Sequence, residues 1–197
     1  MTLRFIIYTF TVLCFISNLY VFNSYVDQSS LLLDAVNDDY LLSINNYQNI
    51  NSKYPSLALN SVPIMTYLSR YDTHKKDYKK AIKKLSLSLE KNPYSTYTKY
   101  LIARNYIFLN DLNSSQSILE EVFNDSPKIE SSSALYFAVL GENKNISKLI
   151  YHFNDMKLIE NKNLWNYYIS SVKNSIQIKS DSMFYSDALK YYNTLFK

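Results

Sequence analysis

Glycine is almost missing from this chain. One, Gly141, stands among 197 residues, together with four prolines. β-Sandwiches and barrels reverse direction often and need residues that tolerate positive φ, so this scarcity points to a mostly helical chain with few tight turns. A single glycine also cannot build a Walker or dinucleotide phosphate loop, and no G-x-S-x-G elbow occurs. Cysteine is confined to Cys14, which excludes a disulfide framework. The two histidines, His74 and His152, have no second His, Cys or carboxylate pair at metal-ligand spacing. Adjacent carboxylates occur at Asp38-Asp39 and Glu120-Glu121, but neighbours on a helix point about 100° apart, which suits solvated charges and not an acid–base pair. With three arginines (Arg4, Arg70 and Arg104) and a net charge of only +4, the dense basic footprint of a nucleic-acid binder is lacking too. The expectation is a protein without catalytic residues, metal, cofactor or nucleic-acid partner.

What is present is apolar material: 47% of residues against 19% charged, enough to build a packed core. Tyrosine is abundant at 20 copies, alongside much Asn, Lys and Ile, a bias that an AT-rich genome explains without function. Residues 5–22, FIIYTFTVLCFISNLYVF, carry no charge, and the uncharged run continues to Val26. That is about the 20 residues a bilayer span needs, with Tyr8, Tyr20 and Tyr25 suited to the interfaces. A cleaved signal peptide is the rival reading. It wants small residues at a cleavage site, yet no Ala precedes Ala35; a lipoprotein signal is opposed by Val12 and Leu13 before Cys14. A buried core helix is a third reading. Arg4 lies before the segment, whereas Asp27, Asp34, Asp38 and Asp39 follow it and the next basic residue is Lys53, so the N-terminus should stay inside. The expected layout is a cytoplasmic stub (1–4) and a single-pass anchor (5–26) in a bacterial inner membrane, with the rest periplasmic.

Beyond the anchor the chain repeats itself. Pro93 and Pro127 are 34 residues apart, and aligning on them brings Ala81 onto Ser115, Leu85 onto Leu119, Ser88 onto Val122, Arg70 onto Arg104 and Asp77 onto Asp111. Apolar spacing predicts two helices per period: Met65, Leu68 and Tyr71, then Tyr78, Ala81, Ile82, Leu85 and Leu89 in the first unit, and Leu101 to Ile107, then Leu112 to Phe123 in the second. Ser61, Asp77 and Ser95 are candidate N-caps, and each proline ends the helix before it. The run Lys75, Lys76, Lys79, Lys80, Lys83 and Lys84 reads as the wet side of an amphipathic helix, with an anionic lipid or polymer as the alternative contact. A helix pair of this kind cannot bury its apolar face alone, so pairs should stack into an all-α solenoid.

The 34-residue period, the small position, the aromatic or aliphatic residue four places later and the terminal proline resemble tetratricopeptide repeats. The resemblance covers 61–127 as two repeats. Residues 27–60 are expected to be a helical linker or a degenerate first pair ending at Pro55, and 128–197 degenerate pairs, where Ala188, Tyr192 and Leu195 return to the pattern. Two departures stand out: Asp72 occupies a position usually aromatic, and Lys76 or Asn110 fills the turn where glycine is expected. A narrower likeness, in Tyr54-Pro55-Ser56-Leu57, Pro63-Ile64-Met65, Arg70-Tyr71 and Asn92-Pro93-Tyr94, is similar to repeat regions attached to Bacteroidota O-antigen ligase-like membrane proteins. It implies contact with polysaccharide-synthesis machinery of the cell envelope but carries over no catalytic residue.

The tetratricopeptide resemblance implies a module for protein–protein interaction or assembly, with a protein or peptide segment in the concave groove. It places Arg70 and Arg104 on the groove-lining helices, one period apart, flanked by Tyr97 and Phe108. Guanidinium groups there suit carboxylates or another anion; the alternative is that each arginine pairs with a nearby acid such as Asp72 or Asp111.

Overall fold

The computed structural model describes residues 2–37, 40, 42, 47, 49–54 and 56–196. Asp38, Asp39 and Pro55, used above, lie outside them. Ten helices form among these residues: α1 (Thr2–Asn37), α2 (Ile64–His74), α3 (Tyr78–Leu89), α4 (Thr96–Phe108), α5 (Leu112–Asp125), α6 (Glu130–Glu142), α7 (Ile146–Tyr151), α8 (Phe153–Met156), α9 (Lys162–Asn174) and α10 (Lys179–Leu195). The only β pairing described is an isolated bridge between Leu57 and Pro63. The fold is therefore all-α, as the lack of glycine demands. It divides into a first unit ending at Thr98 and a second beginning at Lys99.

In the first unit, α1 changes character along its length. Residues 3–23 are exposed throughout, and the most apolar stretch of Leu3–Ala35 reaches a mean hydropathy of 1.9. From Ser24 one face turns inward: Ser24, Gln28, Leu31 and Ala35 recur at helical spacing and are all buried. That face packs on α2, where Ile64, Leu68 and Tyr71 complete a small core with Tyr47 stacked 4.6 Å from Tyr71. The Tyr71 hydroxyl donates to Asp34, so the buried acid of α1 is paired. The expected anchor and the start of the expected linker share one uninterrupted helix.

The turns inside the helix pairs show how the chain manages without glycine. Lys76, Asn110 and Lys144 adopt φ of 63°, 60° and 54°, each one 34-residue step from the last. The next residue in each case donates its N–H five residues back: Asp77 to Asp72 O, Asp111 to Tyr106 O and Asn145 to Leu140 O, all at 2.9 Å. The left-handed residue itself reaches three back, to Thr73, Ile107 and Gly141. This is the Schellman arrangement, which satisfies carbonyls orphaned at a helix end. The residue that closes it also caps the next helix: Asp77 accepts from Lys80 N, Asp111 from Ser114 N and Asn145 from Lys148 N. Of the other expected caps, Ser95 accepts from Thr98 N at 3.3 Å. Ser61 does not act as one: it sits at φ 63°, and α2 starts behind Pro63, whose ring supplies no acceptor.

The second unit is built around α6, which packs against α5 and α9. Its Tyr136, Phe137 and Leu140 meet Leu119 and Phe123 of α5 and Leu164, Trp165 and Tyr168 of α9. Gly141 sits at the α6–α9 crossing: a Cβ there would lie 3.2 Å from both Cα and Cβ of Ser171. The small positions read from the repeat, Ala81, Ser115 and Ala188, are all fully buried.

Candidate binding groove

In the second unit the first helices of successive pairs, α4, α6 and α9, present side chains to one open groove of about 620 Å³. Ser131, Ala134, Leu135 and Ala138 follow the i, i+3, i+4, i+7 spacing that puts them on one face of α6. The two alanines keep the floor low. Tyr100 from α4 and Tyr167 from α9, the latter half exposed, stand as aromatic sides. Glu130 is the acidic group of the lining, and its carboxylate accepts from Asn161 Nδ2 at 2.8 Å and Asn163 Nδ2 at 3.3 Å. The helix behind this floor is apolar on its other sides because it is packed there by α5 and α9. Chemically the groove suits an extended segment with an apolar side chain between two phenol rings. The rings offer large contact area at low entropic cost.

Of the residues singled out in sequence, Arg104 and Phe108 come together beside this groove. The Arg104 guanidinium is exposed and lies over the rings of Tyr100 (5.7 Å) and Phe108 (5.9 Å), one turn to either side on α4. Arg70 and Tyr97 belong to the first unit. The half-buried Arg70 donates to the Ala35 carbonyl and, at 3.2 Å, to the Tyr40 hydroxyl; Tyr97 leans on Tyr67 at 6.1 Å. Among the described residues neither Asp72 nor Asp111 pairs with an arginine, as the alternative reading had it. Asp111 caps α5, and the two hydrogen bonds from Ser114, side chain then backbone, hold its carboxyl below the usual range.

Asp72, only 1% exposed, is approached by Lys84 Nζ at 2.6 Å and Lys80 Nζ at 3.3 Å, and its charge holds the Lys80 ammonium above the usual lysine range. Lys75 reaches the Tyr47 hydroxyl at 2.9 Å. The basic run is thus only partly a solvated face. Its members at 75, 80 and 84 are recruited by the acid that replaces the usual aromatic residue and by a tyrosine brought in from the segment after α1.

His152, only 1% exposed, stands at the junction between α7 and α8. Both its ring nitrogens are engaged, Nε2 with the Tyr136 hydroxyl at 3.1 Å and Nδ1 with Asp155 at 3.0 Å. Burial first, and Glu120 second, push the Tyr136 phenol well above its ordinary range, so the neutral hydroxyl persists as a hydrogen-bonding group. The arrangement satisfies a buried imidazole in a core of aromatic rings, as burial of a polar group requires. His74 stacks on Tyr40 at 4.4 Å. Among the described residues no three His, Cys, Asp or Glu side chains gather as a metal site would need.

No protein-family model matches this chain, and no curated protein sequence is similar to it. A solved structure of a MamA mutant, a protein containing tetratricopeptide repeats, is similar in fold, with a TM-score of 0.58 at 11% identity over 88% of this chain and 98% of its own. The match gives no support to the O-antigen ligase likeness. At that identity the similarity is one of architecture: the chain has the tetratricopeptide type of fold, an all-α array of paired, stacked helices behind a long apolar N-terminal helix.

Proposed function

We propose that this chain is a membrane-tethered interaction module that captures an extended segment of a protein partner, with α1 as an uncleaved single-pass anchor and the groove of the second unit as the capture site. Folds of this type generally serve as protein-interaction scaffolds. The observation that carries the reading is the open groove in which α4, α6 and α9 align Tyr100, Leu135 and Tyr167 over an alanine floor. A contiguous apolar recess rimmed by polar groups is costly to leave in water unless something occupies it. Arg104, held between Tyr100 and Phe108, supplies a cation at its edge for an acidic residue of the bound segment. Arg70 and Tyr97 form the corresponding edge in the first unit, with Arg70 also tying down the end of α1. Arg4 before the span and the acids after it keep the N-terminus inside and the helix pairs outside, in the periplasm of a bacterial inner membrane.

The test places a photo-crosslinking amino acid at Ala138 or Tyr167 in the full chain in native membranes, with Lys83, on the exposed side of α3, as control. Adducts mapping to one linear segment of a partner, competed by a synthetic peptide of that segment and weakened by Arg104→Gln, are expected. Equal labelling from Lys83 and the groove positions refutes the capture site.

A further inference from the structure

Asn51, in the segment after α1, lies against the helix at Tyr20, Ser24 and Gln28. The Asn51 side chain donates to the Tyr20 hydroxyl at 2.9 Å and to Ser24 Oγ at 3.1 Å, and Gln28 Nε2 donates to the Asn51 carbonyl at 2.6 Å. Resting on the anchor reading, the hydrocarbon layer begins just after Arg4. At 1.5 Å per residue, about 20 residues cross about 30 Å, which brings the far boundary to Ser24. The contacts of Asn51 therefore lie at the headgroup level. No free linker separates span from domain, because the buried face of α1 starts at that same Ser24.

Immediately beyond Asn51 is a cavity of about 470 Å³ lined by Ser52, Lys53, Tyr54, Ser56, Met65, Lys91 and their neighbours. Lys53 is held there through its backbone, whose N–H donates to Asn51 Oδ1 at 2.9 Å. The floor is apolar (Pro63, Met65, Leu87), and the polar lining offers two ammonium groups and three hydroxyls against one carboxylate, Glu90. Tyr54 is two-thirds exposed beside them, an amphipathic ring of the kind that settles at membrane interfaces.

We propose that this cavity is a seat for the headgroup of an anionic phospholipid from the leaflet the domain rests on. The phosphodiester is taken by Lys53 and Lys91 with the Ser52, Tyr54 and Ser56 hydroxyls, and the glycerol end lies over Met65 and Leu87. The occupant follows from position and charge. The site opens at headgroup level, where lipid phosphate is the abundant anion, and its lining carries one net positive charge to meet one net negative headgroup. Glu90 is the discriminating group, since it opposes an anionic lipid and would instead favour a zwitterionic one.

The experiment uses the full chain in nanodiscs of phosphatidylcholine doped with phosphatidylglycerol, reading the lipid retained by native mass spectrometry after mild detergent. Wild type is expected to retain phosphatidylglycerol above its bulk share. Lys53→Gln and Lys91→Gln should each lower that enrichment by about fivefold, the effect of one basic side chain at an anionic surface, and Glu90→Gln should raise it. Excess inorganic phosphate should leave it unchanged. An enrichment indifferent to both lysines, a fall on Glu90→Gln, or displacement by free phosphate overturns the seat. An alkaline carbonate wash of the same preparations separates this failure from failure of the anchor: a chain that stays in the membrane without lipid enrichment loses the seat alone, and a chain released by the wash loses both.

Discussion

The single glycine offers the sharpest perturbation. Gly141 lies in the last turn of α6, so its penalty relative to Ala is at most the about 0.8–1 kcal/mol of a helix interior, and its place there should have a packing reason. It has one: a Cβ at 141 would meet Ser171 Cα and Cβ at 3.2 Å and Oγ at 3.3 Å, with backbone among the atoms that must move. Carbon atoms prefer about 3.5–4.0 Å, so α6 and α9 would have to separate by a few tenths of an ångström along a contact that includes Leu140, Tyr168 and Val172. For Gly141→Ala the gain in helix propensity offsets this, and the net change should fall within about 1 kcal/mol of zero. Gly141→Leu keeps the propensity gain and forces far more volume into the crossing, and should cost about 3 kcal/mol, the upper part of the overpacking range. Urea melts give both values. The diagnostic arm is Ser171→Gly: it removes the Cβ and Oγ that Gly141 faces, so it should recover part of the Gly141→Leu loss and show a coupling above about 0.5 kcal/mol in a double-mutant cycle. Additive losses, or a Gly141→Leu variant as stable as wild type, refute the close approach.

The three left-handed turns give a graded series: Lys76→Gly and Lys144→Gly should each stabilise by about 0.5–1 kcal/mol by relieving a non-glycine αL residue, and Asn110→Gly by less, because Asn tolerates that region; a denaturant melt in which Asn110→Gly gains most contradicts this. The Ser115 hydroxyl is fully buried and has no hydrogen-bond partner among the described residues, so Ser115→Ala should stabilise by up to about 1 kcal/mol, and a loss of that size would show that it has one. Asp111, its carboxyl held low first by the Ser114 hydroxyl, contributes stability that is present above its unfolded pKa and lost as pH falls through the depressed folded value. Asp111→Asn keeps a capping side chain without the charge, so the wild type's margin over it should shrink on acidification in equilibrium melts; a flat or growing margin is the contrary result.

The helical class and the first two pairs were readable because proline and small residues mark them. The third pair keeps the register in its turn and cap, Lys144 and Asn145, but Asn161 stands where Pro93 and Pro127 predict a proline. Asn161 starts α9 by a different device, accepting from Leu164 N at 2.9 Å, and the second helix of the pair is divided into the short α7 and α8. The better sequence signal is the series Lys76-Asp77, Asn110-Asp111, Lys144-Asn145, a left-handed residue followed by a cap. The residues lining the candidate groove were not the ones the sequence singled out. Arg104 stood out by rarity and register and Phe108 only as its flank, whereas Tyr100 and Tyr167 are two among 20 tyrosines and are distinguished only by the helices that carry them. The partners of Arg70 were beyond reach, since the Ala35 carbonyl lies 35 residues upstream and is exposed to a side chain only where α1 ends against α2.

That junction makes the long apolar helix α1 part of the first unit's fold, which a truncation series can separate. Removing residues up to Phe22 takes away the exposed positions 3–22 and the Tyr20 contact to Asn51, so the first unit should keep its stability. Starting at Ser29 sacrifices Ser24 and the Gln28 bond to Asn51 while keeping Leu31, Asp34 and Ala35, a loss of about 1–2 kcal/mol for buried hydrogen bonds. Starting after Asn37 strips fully buried Leu31 from its core and leaves the Tyr71 hydroxyl and the Arg70 guanidinium without Asp34 and the Ala35 carbonyl. Burial of one leucine is worth about 2 kcal/mol and the orphaned, buried Tyr71 hydroxyl about 1–3 kcal/mol, together a large share of the whole stability of a small domain, about 5–15 kcal/mol. Hydrogen exchange of α2 and α3 should therefore fall off in steps along the series and collapse at the last. Equal protection in all three truncations would mean that α1 is only a tether, and that the buried stripe from Ser24 to Ala35 adds nothing to the fold.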